Sequence, residues 1–132
     1  MDSGSPDFWV DSTLTPVAQR TGAPMYDPSK SKTASVWNGY TFKICYLAPG
    51  CAEGLVYKEL VQMGDLAIIN FALEVATSDT EGLGAQTSGI FGLSPVSFNS
   101  ISPAKQNTWF ATVAPYLQCT SYNITSPLTS HL

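Results

Sequence analysis

Asp2-Ser3-Gly4-Ser5-Pro6-Asp7-Phe8-Trp9-Val10 runs a small polar turn straight into an apolar strand. Asp, Ser, Gly and Pro each favour turns for a separate steric or hydrogen-bonding reason, so the first half alone reads as a surface turn. Phe8-Trp9-Val10 is aromatic and β-branched, a composition that suits a pleated, half-buried surface. The same alternation of short apolar runs and Gly, Pro, Ser or Asn punctuation continues along the chain, which predicts an all-β fold. Ser12 to Pro28 is a loop-rich stretch closed by the turn Asp27-Pro28-Ser29. Tyr40-Thr41-Phe42-Lys43-Ile44-Cys45-Tyr46 and Leu55-Val56-Tyr57-Lys58-Glu59-Leu60-Val61 read as two strands, with Pro49-Gly50 between them marking a hairpin tip. Leu66 to Val75 extends the sheet. One short helix is expected from Thr108 to Leu117, with Thr108 as N-cap and Phe110, Val113 and Leu117 on one face. Pro115 should kink it or stop it early.

Composition narrows the function classes. At 132 residues the chain is one domain's worth, and with 44% hydrophobic residues it can bury a core. Charged residues are only 12%, well under the roughly 25% of an average soluble domain, which fits a secreted β-rich protein. A net charge of -4, with six Lys and Arg scattered singly, offers no basic patch for nucleic acid. The longest apolar run, near Leu66–Ile69, is far too short to cross a membrane. His131 is the lone histidine and lies beside the C-terminus, which disfavours Ser/His/Asp or Cys/His chemistry. Cys45, Cys51 and Cys119 lack zinc spacing, and no phosphate-cradling glycine loop is present, so neither metal nor cofactor is implied.

A bare Asp-Ser-Gly triplet is weak, but the longer string resembles the D-T-G-S-x-x-L-W-V segment of the pepsin-like aspartic proteases, with Ser for Thr and Phe for Leu. Further likenesses follow in that family's order. Tyr26-Asp27-Pro28-Ser29-Lys30-Ser31 resembles its aromatic-D/N-P-S-x-S turn. Gly39 to Tyr46 and Gly54-Leu55-Val56-Tyr57 resemble the two arms of its flap hairpin. Gly89-Ile90-Phe91-Gly92-Leu93 resembles its hydrophobic–hydrophobic–Gly strand, and Ile101 to Leu117 the helical segment beyond. The likeness covers about residues 2 to 118 and is greatest to secreted fungal members. It implies a partial N-terminal half-barrel lobe over residues 1–118, without its first strands, and a non-family tail over residues 119–132.

The resemblance also implies roles. Two carboxylates about 3 Å apart share one proton, so together they activate water and protonate a scissile peptide. Asp2 is expected to be one of them. Ser3 would bond across to the partner loop, Gly4 would allow that loop close approach, and the Ser5 hydroxyl would bond the outer oxygen of Asp2. Tyr46 would be the flap tyrosine, Trp9 would donate its indole N–H to the phenol from beneath, and Ile90 would line a substrate pocket. The expected partners are a polypeptide substrate at acid pH and a missing C-terminal lobe, and the expected location is extracellular.

Departures from the pattern matter equally. The family's flap tip reads Y-G-D-G, whereas this chain has Tyr46-Leu47-Ala48-Pro49-Gly50-Cys51. Cys45 and Cys51 flank that tip, close enough in a hairpin to form a disulfide, which would leave Cys119 free. Asp79-Thr80-Glu81-Gly82 has a residue too many to serve as a second Asp-Thr-Gly turn. No secretory leader follows Met1, and the Ser/Thr-rich end, with its Asn123-Ile124-Thr125 sequon, leaves the pattern. The expectation is therefore an aspartic endopeptidase lobe, truncated and inactive alone. The rival readings are a catalytically dead pepsin-like binding or inhibitor protein and a gene-product fragment without independent function.

Overall fold

Trp9 and its neighbours show how strand alternation builds this molecule. Phe8–Val10 forms β1, and its side chains point to opposite faces of a five-stranded sheet. The computed structural model describes residues 1–20, 22–46, 50–80, 87–94 and 98–117. Its other strands are β2 (Ser35–Cys45), β3 (Cys51–Met63), β4 (Leu66–Asp79) and β5 (Gly89–Phe91), and its one α-helix is α1 (Trp109–Val113). The sheet order is β2-β3-β4-β1-β5. β2–β3 and β3–β4 are antiparallel hairpins, β1 lies parallel to β4, and β5 returns antiparallel to β1.

Two apolar clusters cover the two faces of the sheet. Trp9, Phe42, Ala52, Val56, Ala72, Ala76 and Ile101 fill one. Phe71, Leu73, Val75, Trp109 and Val113 fill the other, with Phe8, Val10 and Phe91 packed against them. Successive β4 residues therefore serve alternate clusters. The small side chains Ala72 and Ala76 face bulky Trp9 and Phe42, which keeps the first layer filled without overpacking.

The expected all-β fold with one short helix is the fold observed, and the differences lie at the element ends. β2 begins at Ser35, before the predicted Tyr40, because a bulge between Val36 and Thr41 absorbs Trp37-Asn38-Gly39-Tyr40 and so breaks the alternation. Gly64-Asp65 closes the β3–β4 hairpin with Gly64 at φ 57, so β3 runs on to Met63. The helix is shorter than Thr108–Leu117. Thr108 caps it as expected, its side chain accepting from the Ala111 N–H at 3.1 Å. Pro115 then forces a 3₁₀ turn over Ala114–Tyr116. The buried helical side chains are Trp109 and Val113, while Leu117 falls beyond the helix and is 49% exposed. The hairpin tip at residues 47–49, Cys119, the sequon and the expected tail lie outside the described residues.

Candidate active site

The turn before β1 is held by backbone rather than by side-chain packing. The Asp2 N–H donates to Phe91 O at 2.9 Å, and Leu93 N–H donates back to Asp2 O at 2.7 Å. Gly92 N–H bonds Asp7 O at 2.9 Å, and Ser94 N–H bonds Ser5 O at 3.1 Å. The Asp2 loop is thus laced to the end of β5 and to Gly92–Ser94 just beyond it. Gly92 is required there: a Cβ would lie 2.5 Å from both Asp7 O and Ser5 O.

Asp2 is half-exposed, and Gly4 N–H donates to its Oδ1 at 2.8 Å. The nearby Ser5 hydroxyl, and then the Gly4 N–H, hold its carboxyl below the ordinary aspartate range, against a smaller opposing effect of burial. The Ser5 Oγ is buried and acts on both Asp2 and Tyr46, although neither approach has full hydrogen-bond geometry. Ser3 and Gly4 are exposed.

Above this loop stands the β2–β3 hairpin. Trp9 is fully buried beneath it, and its Nε1–H donates to Tyr46 Oη at 2.9 Å. Partial burial raises the Tyr46 phenol pKa, with the donors from Trp9 and Ser5 opposing it. Cys45 and Cys51 face each other as the final pair of the ladder and are joined by a disulfide, with Cα atoms 4.1 Å apart. Ile90 pairs with Trp9 in the sheet and packs against the first core cluster.

Between loop and hairpin lies an open cleft of about 680 Å³, lined by Asp2, Gly4, Ser5, Pro6, Ile44, Cys45 and Tyr46. Sequence reasoning named five of those residues and missed Pro6 and Ile44. The signal for Ile44 was available, since it sits two positions before Tyr46 and so shares its strand face. Ile90 and Ser3 are not in the cleft wall, and Trp9 supports it from below. Among the described residues Asp2 is the only carboxylate in the wall. Asp79, at the head of the rejected Asp79-Thr80-Glu81-Gly82 string, is buried and faces Asp11. Among the described residues no three His, Cys, Asp or Glu side chains are grouped to hold a metal. The arrangement offers one ionised carboxylate under a tyrosine-bearing hairpin, half of what acid–base peptide hydrolysis needs.

Comparison with known proteins agrees with that geometry. A family model described as eukaryotic aspartyl protease matches residues 1–125. The aspartic protease pepA of Leptosphaeria maculans is 38% identical over 118 residues, covering 88% of this chain and 28% of that protein. Endothiapepsin of Cryphonectria parasitica is 36% identical over 113 residues, covering 83% and 26%. Aspergillopepsin-1 of Aspergillus fumigatus is 35% identical over 126 residues, covering 94% and 31%. Among solved structures, an aspartic proteinase from Irpex lacteus superposes with a TM-score of 0.63 at 22% identity, over 87% of this chain and 31% of that one, and so shares the fold. The chain spans less than a third of the length of each of these proteins.

Proposed function

This chain belongs to the eukaryotic aspartyl protease family, and from that premise we propose that it carries one half of an aspartic endopeptidase site. In this reading Asp2 is one carboxylate of a proton-sharing dyad, and a second lobe brings the other. Ser3 and Gly4 form the contact surface for that lobe, and Ser5 tunes Asp2. The polypeptide substrate lies extended in the cleft beneath the hairpin, with Tyr46 closing over it and Trp9 fixing the phenol. Ile90 shapes the floor of a side-chain pocket. Residues 1–118 act as the lobe and 119–132 as an appended tail, and the protein works outside the cell, as its likeness to secreted fungal proteases suggests.

The observation that carries this reading is Asp2 and Tyr46 lining one cleft, with the Ser5 hydroxyl near both and Trp9 donating to the Tyr46 phenol. A single carboxyl below its ordinary pKa can accept a proton but has none to give, so the 132 residues alone are expected to be inert. The test is a fusion of this chain to the C-terminal lobe of endothiapepsin, assayed on an unfolded protein at acid pH. Pepstatin-sensitive cleavage lost in Asp2→Asn supports the proposal. Cleavage that survives Asp2→Asn overturns it.

One feature favours a second reading, a pepsin-like protein that binds polypeptide without cutting it. The Cys45–Cys51 link shortens and stiffens a hairpin that must open for turnover. Tight binding of unfolded polypeptide by the fusion, without hydrolysis, would select this reading.

A further inference from the structure

Five asparagines occur in the chain, and only Asn38 is followed by glycine. An asparagine side chain is consumed when the backbone nitrogen of the next residue closes on its carbonyl carbon, which is one reason asparagine is thermolabile. The closure needs a successor without a crowding Cβ, a side chain not held elsewhere and a backbone free to turn. Asn38-Gly39 meets each need. Gly39 sits at φ 83, with nothing within 4 Å of the place a Cβ would take. Asn38 is exposed, and among the described residues no hydrogen bond engages its side chain.

The backbone is open as well. β2 is an edge strand, and its pairing with β3 jumps from Val36↔Tyr57 to Thr41↔Leu55, so residues 37–40 have no ladder partner. The Trp37 and Tyr40 rings stack 4.0 Å apart across this bulge, leaving Asn38-Gly39 exposed between them. The other asparagines are shielded by burial or by their successors. Asn99 is 3% exposed, and its Oδ1 accepts from the Ile101 and Gln106 N–H groups at 3.3 and 3.0 Å. Asn70 precedes Phe71 and Asn107 precedes Thr108, both of them buried. Asn123 precedes the β-branched Ile124.

We propose that Asn38 is a modification site, at which the folded chain deamidates spontaneously. The Gly39 nitrogen, having lost its proton to hydroxide, bonds to Asn38 Cγ. The Cγ–Nδ2 bond breaks, and ammonia leaves with a proton taken from water, giving a five-membered succinimide. Water then opens the ring at either carbonyl, which leaves aspartate or isoaspartate at position 38. Nothing is oxidised or reduced. Because the attacking nitrogen must first give up a proton, the reaction is slow at acid pH and quickens towards pH 8. Each product alters the hairpin that carries Tyr46, whatever chemistry Asp2 performs. Both add a negative charge next to Trp37, whose ring lies 4.4 Å from Lys58 Nζ. Isoaspartate also routes the main chain through the side-chain carbon, adding one atom to the bulge that the Trp37–Tyr40 stack spans. Hydrogen exchange should then quicken at the Thr41 amide, which donates to Ser102 O at 3.0 Å just beyond the bulge.

The test incubates the folded 132-residue chain at pH 4 and at pH 8 and maps its peptides by mass spectrometry. A gain of one mass unit is expected in the peptide holding Asn38, growing faster at pH 8, with isoaspartate detected by an isoaspartyl methyltransferase. The same chain unfolded in guanidinium chloride sets the rate without structure. An open bulge should keep the folded chain within about threefold of that rate. Asn38→Gln changes an exposed, unbonded side chain that would have to close a six-membered ring, so it should keep the fold and show no gain at position 38. A folded chain modified more than about tenfold more slowly than the unfolded one overturns the proposal, because the fold would then protect the site. Modification appearing first at another asparagine, or equally fast at pH 4 and pH 8, overturns it too. An unchanged Thr41 exchange rate in the purified isoaspartate form would overturn the effect on the hairpin.

Discussion

Asp2 and Asp11 are both aspartates near one short strand, and their surroundings drive them in opposite directions. Asp2 is half-exposed with Ser5 and the Gly4 N–H stabilising its anion, so it stays ionised to lower pH than an ordinary aspartate. Any stability it adds is present above the ordinary value and fades as pH falls. Asp11 is buried against another acid, and its contribution fades as pH rises. Replacing Ser5 by Ala should raise the Asp2 titration midpoint, read by carboxyl NMR, while leaving that of Asp11 unchanged. Trp9→Phe removes the donor to Tyr46 and leaves space in a filled layer, so thermal unfolding should show a loss of about 2 kcal/mol. The Asp2 segment was legible because turn and strand chemistry are local and its residue order is specific. The burial of Asp7, Asp11, Glu74 and Asp79 was not: a lone Asp or Glu reads as a solvated charge.

Strand cores were legible for the same local reason, and strand ends were not. The Trp37–Tyr40 bulge and the Gly64 turn depend on cross-strand register, which period-two patterning does not encode. Thr108 and Pro115 fixed the two ends of α1 because caps and prolines act within one turn. Its buried face went to Trp109, whose ring lies edge-on to Phe91 at 5.2 Å, a tertiary choice. Thr108→Ala is expected to destabilise the chain by about 1 kcal/mol in denaturant titration. Gly92→Ala should do more, about 2–4 kcal/mol, since the added carbon meets backbone oxygens of the Asp2 loop. In the hairpin, the disulfide closes a loop short enough that its removal by Cys45→Ser with Cys51→Ser should cost about 2 kcal/mol. The same pair of substitutions should speed hydrogen exchange of the Tyr46 amide, which donates to Gly50 O at 3.4 Å.

At the scale of the molecule, two layers of apolar side chains sandwich a sheet whose fourth and fifth strands in order, β1 and β5, present one carboxylate to an open cleft. The fold was readable from pattern and resemblance together. The cleft's lone acid was readable from the single Asp-Ser-Gly string, because a dyad needs two such turns and this sequence holds one. In the proposed function Asp2 is half of a catalytic pair and does nothing without the other half. The direct measurement is hydrolysis of denatured haemoglobin by residues 1–132 at pH 3 to 6, with pepstatin and Asp2→Asn as controls. No pepstatin-sensitive cleavage is the predicted result. Cleavage that pepstatin blocks and Asp2→Asn abolishes would show a working dyad assembled from this chain alone, and would overturn the half-site reading.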